Sequence, residues 1–215
     1  MKLTNLIEEI KYPKGGGIII FDIDDTLVSA VGVNIYKQKD GKDIKKLTPE
    51  EFAKEDVKKE QEKGFTYDYR DFNDENKLYN SIVKGSPIIN NLRMLDAHLR
   101  AGWDIGFLTA RSGESANKRA ILDWLKFRDK DGELKPIPQE RIKYFIAVND
   151  PKRQRELKQK AMAGDFDAKG VFLKEIKSKY KNIKFVDDDA KNLVVSRSAI
   201  GKKGTIQAHK KREKK

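Results

Sequence analysis

Acidic side chains crowd the end of one apolar run near the start of the chain. Residues 18–21 are Ile-Ile-Ile-Phe, and Asp22, Asp24 and Asp25 follow directly. A continuous β-branched and aromatic run predicts a central parallel strand that is buried on both faces. Carboxylates at the carboxyl end of such a strand lie where open α/β sheets bind ligands. Because buried charge is costly unless a metal or a reaction needs it, this stretch is a candidate site of chemistry.

Two later apolar runs also end in polar side chains. Residues 103–108 lead into Thr109 and Arg111, and residues 183–186 lead into Asp187-Asp188-Asp189. In a doubly wound sheet the carboxyl ends of the strands lie along one edge, so we expect the three clusters to meet there. A single cluster would be explained by a solvated turn, whereas three at strand ends indicate a shared site.

The elements between these clusters alternate between strand and helix patterns. A further strand is predicted over residues 142–148, and helices are predicted over about 88–101, 114–127, 151–163 and 167–180. Such alternation predicts βαβ units with right-handed crossovers and a parallel sheet. The expected fold class is α/β, with a three-layer Rossmann-like parallel sheet and helices on both faces.

Residues 28–86 predict a small insertion after the first strand. Asp40-Gly41 is a hairpin-turn signal, and Thr48-Pro49-Glu50-Glu51 resembles a capping box with proline at the first helical position. Residues 65–72 alternate aromatic and polar side chains, and we expect the aromatics to attach the insertion to the core. The insertion is interpreted as a flap or cap over the carboxylate end of the sheet.

Composition limits the classes of protein that fit. The chain has 215 residues, of which 38% are hydrophobic and 37% charged, and this predicts one domain over residues 1–200. No apolar run reaches the roughly 20 residues that span a bilayer, so no membrane partner is expected. Acids near the N-terminus argue against a signal peptide, and a cytoplasmic location is expected. The absence of cysteine excludes disulfides, thiolate metal sites and cysteine nucleophiles.

Half of the net charge of +12 lies in a basic C-terminal tail, residues 201–215. One interpretation is a solvated terminus that keeps the protein soluble. The other is a non-specific contact with the phosphate backbone of nucleic acid, which would be strongly salt-dependent. Residues 152–160 form a second basic run with the same two interpretations.

The acidic and polar clusters resemble the motifs of a known superfamily. Phe21-Asp22-Ile23-Asp24-Asp25-Thr26-Leu27 is similar to the first motif, D-x-D-x-T, of the haloacid dehalogenase-like hydrolases. Phe107-Leu108-Thr109-Ala110-Arg111 resembles the second motif, and Phe185-Val186-Asp187-Asp188 resembles the fourth. Lys169 best matches the lysine of the third motif, with Lys174 as the alternative. The nearest resemblance is to small bacteriophage-type members, including relatives of the 3′-phosphatase half of phage polynucleotide kinase.

The resemblance implies a role for each of four side chains. Asp22 would attack phosphorus and form an aspartyl-phosphate, and Asp24 would protonate the leaving oxygen and then activate water. Thr109 would hydrogen-bond a phosphoryl oxygen, and Lys169 would neutralise Asp22 and the transferring group. Because members that do not hydrolyse phosphomonoesters commonly lack the second aspartate, Asp24 favours a phosphomonoester substrate.

The resemblance also implies a magnesium site. Mg²⁺ suits an all-oxygen set of ligands. The implied ligands are Asp22, the backbone carbonyl of Asp24, and Asp187 or Asp188. Asp25 is expected to act through its backbone or a supporting hydrogen bond.

The expected function is therefore a Mg²⁺-dependent phosphatase acting on a phosphorylated small molecule or a nucleic-acid 3′-end. The location would be the host cytoplasm if the protein is phage-encoded. No G-x-x-x-x-G-K-[ST] loop is present, so a kinase half is not expected. Two alternatives stay open: a catalytically idle domain that binds nucleic acid or a partner through its basic segments, and a phosphotransferase. Arg111 either contacts substrate or forms a surface ion pair, and His98 is expected to be a semi-buried packing residue.

Overall fold

A computed structural model describes residues 16–52, 54–128, 134–162 and 167–209. The strands are β1 (Ile18–Phe21), β2 (Val28–Ser29), β3 (Ile35–Lys39), β4 (Lys42–Leu47), β5 (Phe65–Asp68), β6 (Ser86–Pro87), β7 (Asp104–Thr109), β8 (Lys126–Arg128), β9 (Leu134–Pro136), β10 (Ile142–Ala147), β11 (Ile183–Asp187) and β12 (Thr205–Gln207). The helices are α1 (Pro49–Phe52), α2 (Val57–Glu62), α3 (Glu75–Val83), α4 (Ile89–Arg100), α5 (Glu114–Trp124), α6 (Pro151–Met162), α7 (Ala168–Lys177) and α8 (Ala190–Ile200). Within these ranges, every helix is too short or too polar to traverse a lipid bilayer.

The main sheet has five parallel strands in the order β10-β7-β1-β11-β12. Side chains of β1 alternate between its two faces, as a strand requires. Ile19 and Phe21 pack with residues of α4 and α5, whereas Ile18 and Ile20 pack with residues of α6, α7 and α8. The predicted α/β class, with a parallel sheet flanked by helices, is confirmed.

A glycine allows β11 to approach β1 at the start of the sheet. Gly17 has a φ of +136°, and a Cβ placed on it would lie 2.3 Å from the carbonyl oxygen of Asn182. The same carbonyl accepts a hydrogen bond of 3.0 Å from the backbone N–H of Ile18. The glycine before the apolar run therefore permits the first pairing of the central strand.

The sheet continues past residue 201, where the sequence predicted the basic tail to begin. β12 pairs in parallel with β11 from Phe185 to Asp187, and the N–H of Ala208 then bonds the carbonyl of Asp187 at 2.9 Å. Residues 205–208, which the sequence predicted to lie in the tail, therefore pair with the main sheet. Residues 210–215 lie outside the described residues.

Helix α5 ends earlier than its apolar pattern predicted. Leu125 caps the helix in an extended conformation, with φ −82° and ψ 108°. The chain then forms β8, which pairs with β9 as an antiparallel hairpin. The run Asp129-Lys130-Asp131-Gly132 predicts a loop, and these residues lie outside the described residues.

The insertion over residues 28–86 contains a small antiparallel sheet in the order β4-β3-β5. Asp40 and Gly41 both have positive φ, at 52° and 74°, so the predicted hairpin turn is confirmed. The capping box is also confirmed, because Thr48 Oγ1 accepts from the N–H of Glu51 and Glu51 Oε2 accepts from that of Thr48. Helix α1, which it begins, is only four residues long.

The aromatic residues of the insertion pack mainly on one another. Phe52 makes edge-on contacts with Tyr67 and Tyr69, at ring-centroid distances of 5.1 and 5.7 Å. Phe72 packs against the buried cluster that includes Leu78 and Ala116. Attachment to the core, predicted for these aromatics as a group, is therefore seen for Phe72.

Candidate active site

Asp22 lies where β1 ends, between the carboxyl ends of β7 and β11. Its backbone N–H donates to the carbonyl of Val186 at 2.9 Å, which continues the pairing with β11. Its side chain is 8% exposed, so the carboxylate is taken out of bulk water. A buried carboxylate needs a cation or hydrogen-bond donors, and Lys169 provides both.

Lys169 bridges two of the predicted site residues. Its Nζ lies 2.8 Å from Asp22 Oδ1 and 2.9 Å from Asp187 Oδ2. Asp167 caps α7 by accepting from the N–H of Gly170 at 2.8 Å, and this places Lys169 in the first turn, at the sheet edge. Lys174 lies further along α7 and is exposed. The structure thus brings Lys169, and not Lys174, to Asp22.

Asp187 and Asp188 follow each other at the end of β11. Asp187 is fully buried, and its carboxylate also accepts from Asn192 Nδ2 and from the N–H of Asp189. Asp188 is partly exposed, and its Oδ1 accepts from Thr26 Oγ1 at 3.3 Å. One carboxylate oxygen from each of Asp22, Asp187 and Asp188 lies within 4.8 Å of the other two, so these three could hold one metal ion.

The charges at this site are unbalanced. Burial raises the pKa of Asp22 well above its usual value, Lys169 opposes the rise, and Asp187 and Asp24 add to it. Burial and the adjacent Asp187 likewise raise the pKa of Asp188 to about 6. Burial alone would lower the pKa of Lys169, but the carboxylates of Asp22 and Asp187 raise it. A bound cation would relieve the repulsion among these carboxylates.

Arg111 holds the second aspartate of the motif. Its Nε and Nη2 donate to the two oxygens of Asp24, each at 2.7 Å. The guanidinium is buried, and its Nη1 donates to Ser81 Oγ at 2.8 Å, to Asn117 Oδ1 at 3.0 Å and to the carbonyl of Leu78 at 3.3 Å. The surface ion pair considered for Arg111 is thus wrong as to location, because the pair joins the core to a site residue. The sequence signal for this placement was that Arg111 follows Thr109, at the end of a predicted strand, by two residues.

Thr109 ends β7 on the strand next to β1. The two strands pair with Phe107 beside Phe21, so Thr109 lies at the same sheet edge as Asp22. Thr109 is fully buried, and its Oγ1 accepts from the N–H of Arg111 at 3.2 Å. It therefore also fixes the backbone of the residue that holds Asp24.

Asp24 and Asp25 lie in the turn that leaves β1. Asp25 has a φ of 49°, a left-handed conformation that aspartate tolerates better than most residues. Its N–H donates to the carbonyl of Val28 at 2.9 Å, and its side chain is exposed. Asp24 has a side chain that is 43% exposed, so it can reach a ligand while Arg111 holds it.

No protein-family model, curated protein or solved structure matches the chain. The function is therefore inferred from these side chains and their arrangement.

Proposed function

We propose that the protein is a Mg²⁺-dependent phosphomonoester phosphatase of the haloacid dehalogenase-like superfamily. The observation that carries the proposal is the Asp22–Lys169–Asp187 arrangement, with Asp24 held separately by Arg111. A buried carboxylate beside a lysine and two further carboxylates can serve as a nucleophile for phosphoryl transfer. A second, partly exposed carboxylate two residues later can move protons.

The carboxylate cluster fits a hard divalent cation. Asp22, Asp187 and Asp188 offer oxygen atoms, which Mg²⁺ prefers. Asp24 would add its backbone carbonyl. When bound, Mg²⁺ would withdraw charge from phosphoryl oxygens and reduce their repulsion of the nucleophile.

Asp22 and Asp24 would divide the chemistry between them. A carboxylate oxygen of Asp22 attacks phosphorus, a new O–P bond forms, and the bond to the leaving oxygen breaks. Asp24 gives that oxygen a proton, so the alcohol leaves neutral. Asp24 then takes a proton from the water that attacks the aspartyl-phosphate. The second attack releases inorganic phosphate and regenerates Asp22.

Lys169 and Thr109 would bind the transferring group. Lys169 stays charged beside Asp22 and neutralises the phosphoryl oxygens as they approach. The hydroxyl of Thr109 can donate to one of those oxygens while it accepts from the N–H of Arg111. The insertion over residues 28–86 would act as the cap that selects the substrate, a phosphorylated small molecule or a nucleic-acid end. Residues 210–215 would add non-specific attraction for nucleic acid.

Hydrolysis of p-nitrophenyl phosphate with and without Mg²⁺ tests the proposal. We expect Mg²⁺-dependent release of phosphate, reduced at least about 10³-fold in Asp22→Asn because the nucleophile is lost. Asp40→Asn, in the exposed flap turn, is the matched control and should keep full activity. Wild-type protein that is inert towards a broad panel of phosphomonoesters would refute the proposal and favour an idle binding domain. Adding an acceptor alcohol and analysing the products separates hydrolysis from phosphotransfer.

A further inference from the structure

Lysines gather at the edge of the main sheet opposite the carboxylates. All five strands are parallel, so their first residues share one edge, about 13 Å from Asp22 along the four residues of β1. Two adjoining clefts of about 460 and 480 Å³ open there and share Tyr180, Lys181 and Asn182. We call this surface the amino-edge cleft. Its lysines are Lys143, Lys177, Lys179, Lys181, Lys184 and Lys203.

These lysines are not balanced by acids. Among the residues that the structure describes, none of the six forms a salt bridge. Two acids line the cleft, Asp104 and Glu140. Asp104 is already engaged, because Tyr180 donates to it at 3.0 Å and Arg141 lies 3.5 Å from it. The cleft therefore has a net positive charge.

Two aromatic side chains lie among the lysines. Tyr180 lines both clefts, and Trp103 lines the cleft of about 480 Å³. Lys184 Nζ lies 5.1 Å from the Trp103 ring centroid and 3.0 Å from His98 Nε2. His98 also packs edge-on against Trp103 at 5.0 Å, which confirms the packing role predicted for it. Lys184 is thus held against a rigid aromatic base, while the other five lysines are exposed.

Solubility and helix termini explain part of this charge. Lys177 and Lys179 lie at the end of α7, where cations interact favourably with the helix dipole. Lys143 belongs to β10 and Lys181 precedes β11, so no helix end accounts for these two, and Lys203 lies in the short segment between α8 and β12. Three separate segments therefore bring cations to one concave surface, where their mutual repulsion disfavours the free protein.

We propose that the amino-edge cleft binds the sugar–phosphate backbone of single-stranded nucleic acid. Flexible, exposed lysines suit a repeating polyanion better than a small ligand, which would need fixed donors. A basic groove with aromatic side chains is the arrangement that binds single strands without regard to sequence. The site is separate from the carboxylate cluster, so the proposal holds whether or not the protein is a phosphatase.

Fluorescence anisotropy with a labelled, unphosphorylated DNA strand of about 16 nucleotides tests the proposal, since that length fills a typical single-strand site. The test variant is Lys143→Glu/Lys181→Glu/Lys203→Glu in the full chain. We expect at least roughly tenfold weaker binding, and a slope of log affinity against log salt that is smaller by about 2, because three phosphate contacts are lost. Hydrolysis of p-nitrophenyl phosphate should not change in this variant.

The control variant has the same net charge, with Arg93→Glu, Lys118→Glu and Lys126→Glu at exposed positions of α4, α5 and β8, outside both the insertion and the cleft. It should bind DNA nearly as tightly as the wild type. Equal losses in the two variants would mean that net charge alone attracts DNA, and would overturn the proposal. Salt-independent binding would overturn it too. The proposal would also be overturned if the test variant bound phosphatidylserine vesicles more weakly than the wild type but bound the DNA strand equally well.

Discussion

At the scale of single residues, two buried cations hold the two aspartates of the first motif apart. Lys169 bonds Asp22, and Arg111 bonds both oxygens of Asp24. The guanidinium fork fixes the plane of the Asp24 carboxylate, which a single ammonium group cannot do. Each oxygen of Asp24 keeps a lone pair for a proton from the substrate side. Arg111 is therefore a positioning residue in the proposed reaction.

Arg111→Lys tests this positioning role. We expect kcat to fall roughly 10- to 100-fold, because a misplaced acid transfers its proton less effectively, with a smaller change in KM. Circular dichroism and urea unfolding check that the variant folds. Arg93→Lys, exposed on α4, is the control. A purely structural Arg111 would change stability and leave the pH profile of kcat unaltered, and that result would contradict the assignment.

Lys169→Met tests the metal site through Mg²⁺ affinity, which is measured without an activity assay. The substitution removes one positive charge from beside Asp22 and Asp187, so Mg²⁺ would face a more negative site. We expect roughly tenfold tighter Mg²⁺ binding by isothermal titration calorimetry, together with loss of hydrolysis. Without Mg²⁺, the variant should unfold about 3–5 kcal/mol more easily, because two buried carboxylates lose their partner.

Lys174→Met is the matched control on the same helix. Its exposed side chain should leave both Mg²⁺ affinity and hydrolysis near wild-type values. Weaker Mg²⁺ binding in Lys169→Met would show that the lysine supports the metal site instead of opposing the cation. An effect confined to Lys174→Met would move the motif lysine to the later position.

At the scale of elements, the buried carboxylate of Asp71 links two parts of the insertion: strand β3 with the residue before it, and helix α3. Asp71, 1% exposed, accepts from the N–H and Nδ2 of Asn34, from the hydroxyl of Tyr36 and from Lys77 Nζ. Burial would raise the pKa of Asp71, but the hydrogen bonds from Lys77 and Asn34 outweigh it and hold the pKa below its usual value. The ionised form therefore stabilises the fold.

Asp71→Asn gives a pH-dependent prediction with a defined sign. The folded pKa lies below the unfolded value of about 3.9, so the stabilisation is present above that pH and is lost as the pH falls through the folded pKa. We expect the variant to be about 1–3 kcal/mol less stable at pH 6, with a smaller difference at pH 3. Urea unfolding at both pH values measures it. A difference that is constant with pH would show that ionisation contributes nothing.

Some of these elements could be predicted from the sequence, and others could not. The strand that ends just before Asp22 was predictable, since a continuous apolar run that stops at carboxylates fits a buried strand far better than a helix or a loop. The environment of Arg111 was not, because its partners Leu78 and Ser81 lie on a helix of the insertion that no local pattern links to it. Strand β12 was missed because Thr-Ile-Gln is short and lies among lysines. Its position depends on pairing with β11, which is a tertiary contact.

At the scale of the whole molecule, the two edges of the sheet have opposite character. Acids outnumber basic side chains at the carboxyl edge, and lysines outnumber acids at the amino edge. The C-terminal strand ends at the acidic edge, where the N–H of His209 donates to Asn91 Oδ1 at 2.9 Å and Asn91 Nδ2 donates to the carbonyl of Thr26 at 2.6 Å. Residues 205–209 thus help to fix the turn that follows Asp22, and they belong to the fold.

Two truncations separate this structural role from that of the basic residues beyond it. Removing residues 201–215 deletes β12, exposes part of β11 and leaves the buried Asn91 without its bonds to His209. We expect a loss of at least about 2 kcal/mol of unfolding free energy, from lost hydrogen bonds and from lost burial of Ala208 and Ile206. Removing residues 210–215 alone should leave the urea midpoint within error of wild type, since these residues follow the last backbone hydrogen bond of the described chain. Equal destabilisation by both truncations would show that residues 210–215 themselves contribute to the stability of the fold, and would contradict this prediction.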